Sequence, residues 1–332
     1  MAKRKDTDYL GISARIRAME NSLLTRDRME RMLDARTDEE AVKVLAECGY
    51  GDLSADSPSA MEMKLAAARD HIYQELQEAV PVPELVDVFR AKYDYHNAKV
   101  LVKAEAVGAD PERLLAGGGR YPVDRLREEY QKGELQGCSP IFNRAVAQAK
   151  ELLASSGDPQ LADFLLDRAY FEELLELAGK SGSQFLTGYV RVTIDAANLR
   201  SVVRAKRMER GAEFLTQVLI PGGTVDQRTL AGASGEELTR LFSGGWLAQA
   251  AEAGAALASS GSGRLTEFER LCDDGVQEYL AQAKRVPFGE QPVVSYLYAR
   301  EAELTAIRIL MAGRRAGLER GTIEARLRKS YV

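Results

Sequence analysis

Cysteine and histidine are scarce in this sequence. Cys48, Cys138 and Cys272 are its only cysteines, and they lie far apart, without a Cys-x-x-Cys pair. Such a set predicts neither a disulfide scaffold nor a zinc site. The two histidines, His71 and His96, have no companion cysteine or acidic cluster at ligand spacing. We therefore expect buried free thiols, no metal site and no cofactor.

Long apolar runs are also missing. No segment approaches the ~20 predominantly apolar residues that a membrane-spanning helix needs. The basic opening, residues 1–5, is followed by Asp6 and Asp8 at the place where a signal peptide has its apolar core. A cytoplasmic protein is therefore predicted.

The sequence has no surplus of positive charge. Its net charge at pH 7 is −5, with 45% hydrophobic and 29% charged residues, which describes an ordinary globular protein. A dedicated nucleic-acid binder normally carries a basic surplus, so nucleic acid is not an expected partner. The length of 332 residues exceeds the roughly 250–300 residues at which a single core stops growing. Several lobes are expected.

Patterns typical of catalysis are absent as well. Residues 179–181, Gly-Lys-Ser, match the end of a phosphate-binding loop, but Leu174 stands where that loop needs a glycine, and a helical pattern precedes it instead of a strand. No nucleophile pattern and no acid–base pair can be singled out. We expect neither catalysis nor a small-molecule substrate. One alternative is an enzyme with an unrecognised site, which would require perturbed titratable groups that converge in a pocket.

The most informative segment that is present is residues 194–208. Its apolar residues recur at helical spacing, and no glycine or proline interrupts it. Asn198 lies four residues after Ile194 and four before Val202, so a polar amide stands inside the apolar stripe. If that amide is buried it must find a partner or cost about 1–3 kcal/mol.

Two further segments repeat this arrangement about a hundred residues away in either direction. In residues 94–104, Asn97 stands between Tyr93 and Leu101 in the stripe, and in residues 299–310 Glu303 takes the corresponding place. We predict that Asn97, Asn198 and Glu303 are structural residues whose interhelical hydrogen bonds fix the register of each copy. The repeat units are predicted at residues 1–113, 114–217 and 218–332.

Each predicted unit contains a helix, a turn and a second helix that carries the polar residue. Capping boxes are predicted at Thr37 with Glu40 and at Ser234 with Glu237. Residues 114–118, Leu-Leu-Ala-Gly-Gly, and residues 219–223, Leu-Ile-Pro-Gly-Gly, form a similar connection used twice. Only residues 190–194 have a brief strand-like pattern, and they run into a helix. An all-α fold is therefore predicted.

Arginines form two basic groups. Arg200, Arg204 and Arg207 share one helix face, and residues 311–332 hold six basic residues against two acidic ones. One interpretation is a solvated face with favourable charges at helix C-termini. The other is electrostatic docking to an acidic partner or to lipid headgroups.

Taken in order and spacing, these segments resemble the family of C subunits of V-type and A-type ATPases and ATP synthases, whose eukaryotic vacuolar equivalent is called the d subunit. The matching residues extend over nearly the whole chain, although no single motif is specific. They are Tyr9, residues 14–19, the Asp-x-x-Asn helices at 94–104 and 194–207, the turn at 219–223, residues 299–303, Arg308 and residues 326–332.

The resemblance implies a funnel-shaped, all-helical body with threefold pseudosymmetry on the cytoplasmic face of the membrane. Members of this family catalyse nothing; they rest on the proteolipid ring of the rotor and receive the D and F subunits of the central stalk. The resemblance also allows peripheral contact with the membrane surface. The runner-up interpretation is a helical-repeat scaffold or adaptor of another cytoplasmic complex.

The family supplies no short binding motif for the partner surfaces. We therefore choose candidate interface residues from charge alone: Arg15, Arg17, Arg191, Arg204, Arg308, Arg326 and Arg328.

Overall fold

The computed structural model describes residues 5–53, 56–260 and 263–331. It is 75% helical and has no strand among these residues, which confirms the predicted all-α fold. The strand-like residues 190–194 are helical. Residues 1–4 of the basic opening and Val332 lie outside the described residues.

The described chain contains sixteen α-helices, joined by short turns and four 3₁₀ segments. They are α1 (Leu10–Glu20), α2 (Arg26–Asp34), α3 (Asp38–Lys43), α4 (Pro58–Ala79), α5 (Glu84–Val107), α6 (Val123–Lys132), α7 (Pro140–Ser156), α8 (Pro159–Ser181), α9 (Gln184–Arg207), α10 (Ala212–Val218), α11 (Gln227–Gly232), α12 (Gly235–Leu241), α13 (Ala248–Ser260), α14 (Leu265–Ala281), α15 (Glu290–Arg315) and α16 (Arg320–Glu324).

Local sequence explains many of the helix ends. At the N-terminus of α9, for example, the Ser183 hydroxyl accepts a hydrogen bond from the backbone N–H of Leu186. The predicted box at Ser234 and Glu237 is present in full. At α3, Thr37 accepts from the N–H of Glu40, while the Glu40 carboxylate accepts from the N–H of Arg36. These contacts satisfy backbone groups that the first turn of a helix leaves unpaired.

The helices group into two compact units. One unit comprises residues 82–232 and contains α5 to α11. Within it, α5 and α7 both pack against α8, and α9 packs on α8 as well. Apolar side chains of α5, α6, α7 and α8 form its described core; Phe142, Ala149 and Leu166 are each fully buried. This core includes α5, the helix that carries Asn97, while α9, which carries Asn198, packs on α8.

The other unit combines residues up to Pro81 with residues from Ala233 onward. It contains α1 to α4 and α12 to α16. One of its cores brings Met32 of α2 and Leu45 together with Ile307 and Leu310 of α15. Segments from the beginning and the end of the sequence therefore share one hydrophobic core.

The division into three repeat units remains a prediction, as does their threefold arrangement. What recurs locally is a long helix, α5, α9 or α15, with a polar residue buried on it.

Candidate functional site

Asn97 on α5 binds the backbone of the connecting segment that follows. Its Nδ2 donates to the carbonyl oxygen of Ala116 at 2.8 Å, and its Oδ1 accepts from the N–H of Ala116, also at 2.8 Å. The side chain is fully buried. We call residues 114–121, which receive this contact, the first joint. The partner of the predicted polar residue is thus a connecting segment, and its role in setting register remains a prediction.

Asp94, one helical turn before Asn97, binds the same joint through a buried ion network. The Arg120 Nε donates to Asp94 Oδ2 at 2.6 Å, and the Arg120 Nη1 donates to Glu173 Oε1 of α8 at 2.8 Å. The hydroxyl of Tyr95 donates to the other oxygen of Glu173 at 2.8 Å. Two carboxylates therefore share one guanidinium inside the unit.

The network has unequal effects on its two acids. Burial raises the pKa of Asp94 to about 6, although the charge and hydrogen bond of Arg120 act against the increase. Burial also acts to raise the pKa of Glu173, but hydrogen bonds and attraction from Arg120, with bonds from Ser139 and Tyr95, hold that pKa below its ordinary value. Asp94 is consequently the acid of this pair that takes up a proton first as the pH falls.

Asn198 on α9 repeats the contact of Asn97. Its Nδ2 donates to the carbonyl oxygen of Ile220, and its Oδ1 accepts from the N–H of Ile220, both at 2.8 Å. Asn198 is fully buried. We call residues 219–225 the second joint. The predicted similarity between the two Gly-Gly connections therefore extends to the backbone groups that each one presents to an asparagine.

Asp195 binds the second joint, and no arginine among the described residues hydrogen-bonds to it. Its carboxylate accepts from the N–H of Thr224 at 2.9 Å, from the N–H of Val225 at 3.3 Å and from the Thr224 hydroxyl. Burial, the largest influence, raises the pKa of Asp195 above its ordinary value. A threonine thus stands where the first joint has Arg120.

Both joints require glycine beside the carboxylate. A Cβ on Gly119 would overlap Oδ1 of Asp94, and one on Gly223 would overlap Oδ1 of Asp195, each well inside the 3.0 Å that real Cβ atoms respect. The glycines therefore permit close approach of the joint to the helix.

Glu303 on α15 binds a segment that stands before α2. Its Oε2 accepts from the N–H of Leu24 at 2.6 Å, and its Oε1 accepts from Arg300 Nη1 at 2.7 Å and from the Tyr50 hydroxyl. Glu303 is only 5% exposed. Burial, the largest influence, raises its pKa despite the attraction of Arg300. We call residues 22–25 the third joint, since a backbone N–H of this segment also binds a buried polar side chain.

At least four of the seven arginines proposed as interface residues have partners within their own unit. Arg17 donates to the carbonyl oxygens of Ala283 and Val286 at 2.8 and 2.6 Å. The other pairs are Arg15 with Glu75, Arg308 with Glu62 and Arg328 with Asp273. These four arginines contribute to internal structure whatever else they contact.

The remaining three candidates, Arg191, Arg204 and Arg326, have exposed side chains. Arg191 acts weakly on Asp195 by charge, and Arg204 and Arg326 lie at or near the ends of helices. These three exposed arginines are better candidates for a contact surface than the four that pair within their own unit.

Arg120, Glu173 and Tyr50 were not predicted from the sequence. A signal for the first was available, because Arg120 lies two residues after the Gly-Gly connection at residues 114–118. Glu173 and Tyr50 come from distant segments, and no local pattern distinguishes them from solvated side chains.

The described residues offer no group of three or more metal-ligating side chains close enough to hold an ion. Nor does any described helix have the length and apolar character that a membrane crossing requires.

The chain matches a known protein family over nearly its whole length. The model of the ATP synthase (C/AC39) subunit family matches residues 12–326. The chain belongs to this family. The match confirms the resemblance found in the sequence, and its range includes the three joints and the buried side chains that bind them.

Relatives in the C/AC39 family cover much of the chain at low identity. The C subunit of the V-type sodium ATPase of Enterococcus hirae is 24% identical over 98% of this chain and 99% of its own. The C subunit of the A-type ATP synthase of Haloferax volcanii is 28% identical over 74% and 73%. The C subunit of the V-type ATP synthase of Thermus thermophilus is 22% identical over 96% and 97%. Members of the C/AC39 family are non-catalytic structural subunits, as the resemblance implied.

Proposed function

We propose that this chain is a central-rotor subunit of a V/A-type ATPase or ATP synthase, and that it acts as the socket between the stalk and the membrane ring. The D and F subunits of the central stalk would bind in the socket, and the proteolipid ring would lie beneath it on the cytoplasmic face of the membrane. The observation that carries this proposal is the C/AC39 match over residues 12–326, because relatives of similar length are named as the C subunits of such complexes.

The buried joints support a mechanical role. A part that transmits torque must keep its helices in fixed relation, and each joint ties a connecting segment to a long helix through a buried polar side chain. Satisfied buried polar contacts of this kind make a structure rigid and specific. We further propose that three such units are arranged with threefold pseudosymmetry in a funnel.

A threefold body cannot make equivalent contacts with every subunit of a ring that has another copy number. Its grip should be spread over a tolerant surface of at least ~1,000 Å². Among the charged candidates, Arg15, Arg191, Arg204 and Arg326 are exposed. Arg15 pairs with Glu75, so Arg191, Arg204 and Arg326 are the charges to reverse. We therefore expect each single reversal of these charges to weaken assembly only mildly.

The test is to tag the protein in its native membranes, solubilise them gently and identify the co-purifying proteins by mass spectrometry. Recovery of proteolipid, the D and F subunits and the catalytic subunits together supports the rotor role. Recovery of unrelated partners without proteolipid at any salt concentration contradicts it and favours the scaffold alternative.

The same purification tests the surface argument. Arg191→Glu, Arg204→Glu and Arg326→Glu are compared singly and combined, with Arg308→Glu as a control that breaks an internal pair with Glu62. We expect small losses of co-purified ring for the single variants and a large loss for the combination, at unchanged melting temperature. A single reversal that abolishes assembly in a folded protein would show a concentrated hot spot instead.

A further inference from the structure

The three joints differ in how far apart their partners stand in the sequence. Asn97 binds the backbone of a residue 19 positions later, and Asn198 binds that of a residue 22 positions later. Glu303, in contrast, binds the backbone of Leu24, which lies 279 positions earlier. A short intervening chain keeps the partners of the first two joints close even when the contact opens. The third joint has no such short connection, so other contacts must supply the restraint.

Residues 328–331, which we call the strap, provide contacts of this kind along α14. Arg328 Nε donates to Asp273 Oδ2 at 2.6 Å, and the backbone N–H of Lys329 donates to Asp274 Oδ1 at 2.9 Å. The Lys329 ammonium pairs with Glu278 one turn further along the helix. Asp274 is only 2% exposed, so the strap supplies a partner for a buried acid.

The other end of the strap reaches the third joint itself. The Ser330 hydroxyl donates to the carbonyl oxygen of Leu24 at 3.4 Å, and the Tyr331 hydroxyl donates to Glu20 Oε1 at 3.1 Å. Tyr331 is 5% exposed. A cavity of about 30 Å³ lies beneath, lined by the strap, by Leu24 and by Glu303. The strap thus lies over the joint and spans from α14 to the end of α1.

We propose that the strap is a releasable fastener of the third joint, meaning a set of contacts that holds residues 22–25 in place and can open. It does for this joint what the short intervening chain does for the other two. When the strap is released, residues 22–25 loosen selectively. Two of the three contacts of the fastener with α14 are ion pairs, Arg328 with Asp273 and Lys329 with Glu278, and the third is the backbone bond to Asp274. High salt weakens partly exposed pairs of this type. The third joint is therefore the one whose rigidity depends on ionic conditions.

Hydrogen exchange tests this directly, because one amide reports on each joint. The N–H of Leu24 is bound by Glu303, that of Ala116 by Asn97 and that of Ile220 by Asn198. In the full chain lacking residues 328–332, we expect the Leu24 amide to exchange at least about tenfold faster, with the other two amides changed by less than about twofold. Unchanged exchange at Leu24, or equal acceleration at all three amides, would overturn the proposal.

A milder variant keeps the test decisive if truncation prevents folding. Arg328→Gln combined with Lys329→Gln removes both side-chain pairs of the strap. Arg326→Gln is the matched control, since Arg326 lies two residues away and its side chain is exposed. We expect the Leu24 amide to exchange about threefold faster in the double variant and at the wild-type rate in the control. Added salt should accelerate exchange at Leu24 in the wild type and leave the double variant unaffected; equal sensitivity of both proteins would contradict the fastener.

Discussion

The first and second joints solve one geometric problem with different chemistry. In each, an asparagine binds the joint backbone through two bonds of 2.8 Å, and an aspartate lies against a glycine. The first joint compensates its aspartate with Arg120, which brings a second buried acid, Glu173. The second joint uses backbone N–H groups and the Thr224 hydroxyl. The shared geometry can therefore be kept with or without a buried cation, and the cost of losing a partner should differ between the two.

The largest difference between the joints is expected when each loses its principal side-chain donor. Arg120→Leu leaves Asp94 and Glu173 buried without their cation and should cost about 3–5 kcal/mol. Thr224→Val removes one hydroxyl donor but leaves the backbone N–H groups on Asp195, and should cost about 1–2 kcal/mol. Thermal unfolding of both variants measures the contrast. Equal costs would mean that the ion network of the first joint is solvated in solution.

Replacing the glycine of either joint by alanine should lower the stability of the protein to a similar degree. Gly119→Ala and Gly223→Ala each place a Cβ against a buried aspartate oxygen, and overpacking of this kind costs about 1–3 kcal/mol. Gly211→Ala is a useful control, because Gly211 has an ordinary negative φ of −77° and nothing within 4 Å of an added Cβ. A drop in melting temperature for the joint variants no larger than for Gly211→Ala would contradict the close approach.

Replacing either joint asparagine by leucine should lower the free energy of unfolding by a similar amount. Asn97→Leu and Asn198→Leu each leave one backbone N–H and one carbonyl oxygen of the joint without their partner, at about 1–3 kcal/mol per joint. The measurement is the melting temperature together with helicity by circular dichroism. If Asn198→Leu leaves both unchanged, the residue is not a structural hydrogen bonder in solution.

The smallest effect concerns pH. The pKa of Asp94 is raised to about 6 from an ordinary value of 3.8, so the folded state binds its proton first, and Asp94 adds stability as the pH falls from 7 to 5. Asp94→Asn removes this gain and leaves Arg120 paired with Glu173 alone. We expect the wild type to gain about 1 kcal/mol more than the variant between pH 7 and pH 5.

The acids other than Asp94 do not obscure that comparison. The pKa of Glu173 is lowered, so its stabilisation is present above the ordinary value of 4.5 and is lost only at more acidic pH. Asp195 titrates alike in both proteins and its contribution cancels. Identical pH profiles of melting temperature for wild type and Asp94→Asn would show that Asp94 has an ordinary pKa.

The sequence predicted the helices and the buried polar residues but not their partners. Asn97 and Asn198 were detectable because a polar residue inside an apolar stripe violates the helical pattern. Their partners, Ala116 and Ile220, contribute only backbone groups, which leave no trace in residue type. Arg328 shows a related limit: its charge suggested a surface role, whereas its pair with Asp273 depends on how residues 326–331 return to α14.

The separation of 279 residues between Leu24 and Glu303 also orders events during synthesis. The first and second joints can close once about 20 further residues have been made, but the third must wait for α15. Met32 and Leu45 share that delay, because the core they belong to includes Ile307 and Leu310. At ~5–20 residues per second, the ribosome leaves this apolar surface uncovered for roughly 15–60 s. We expect chaperones that bind nascent chains to associate with the region around α2 and α3 during that interval.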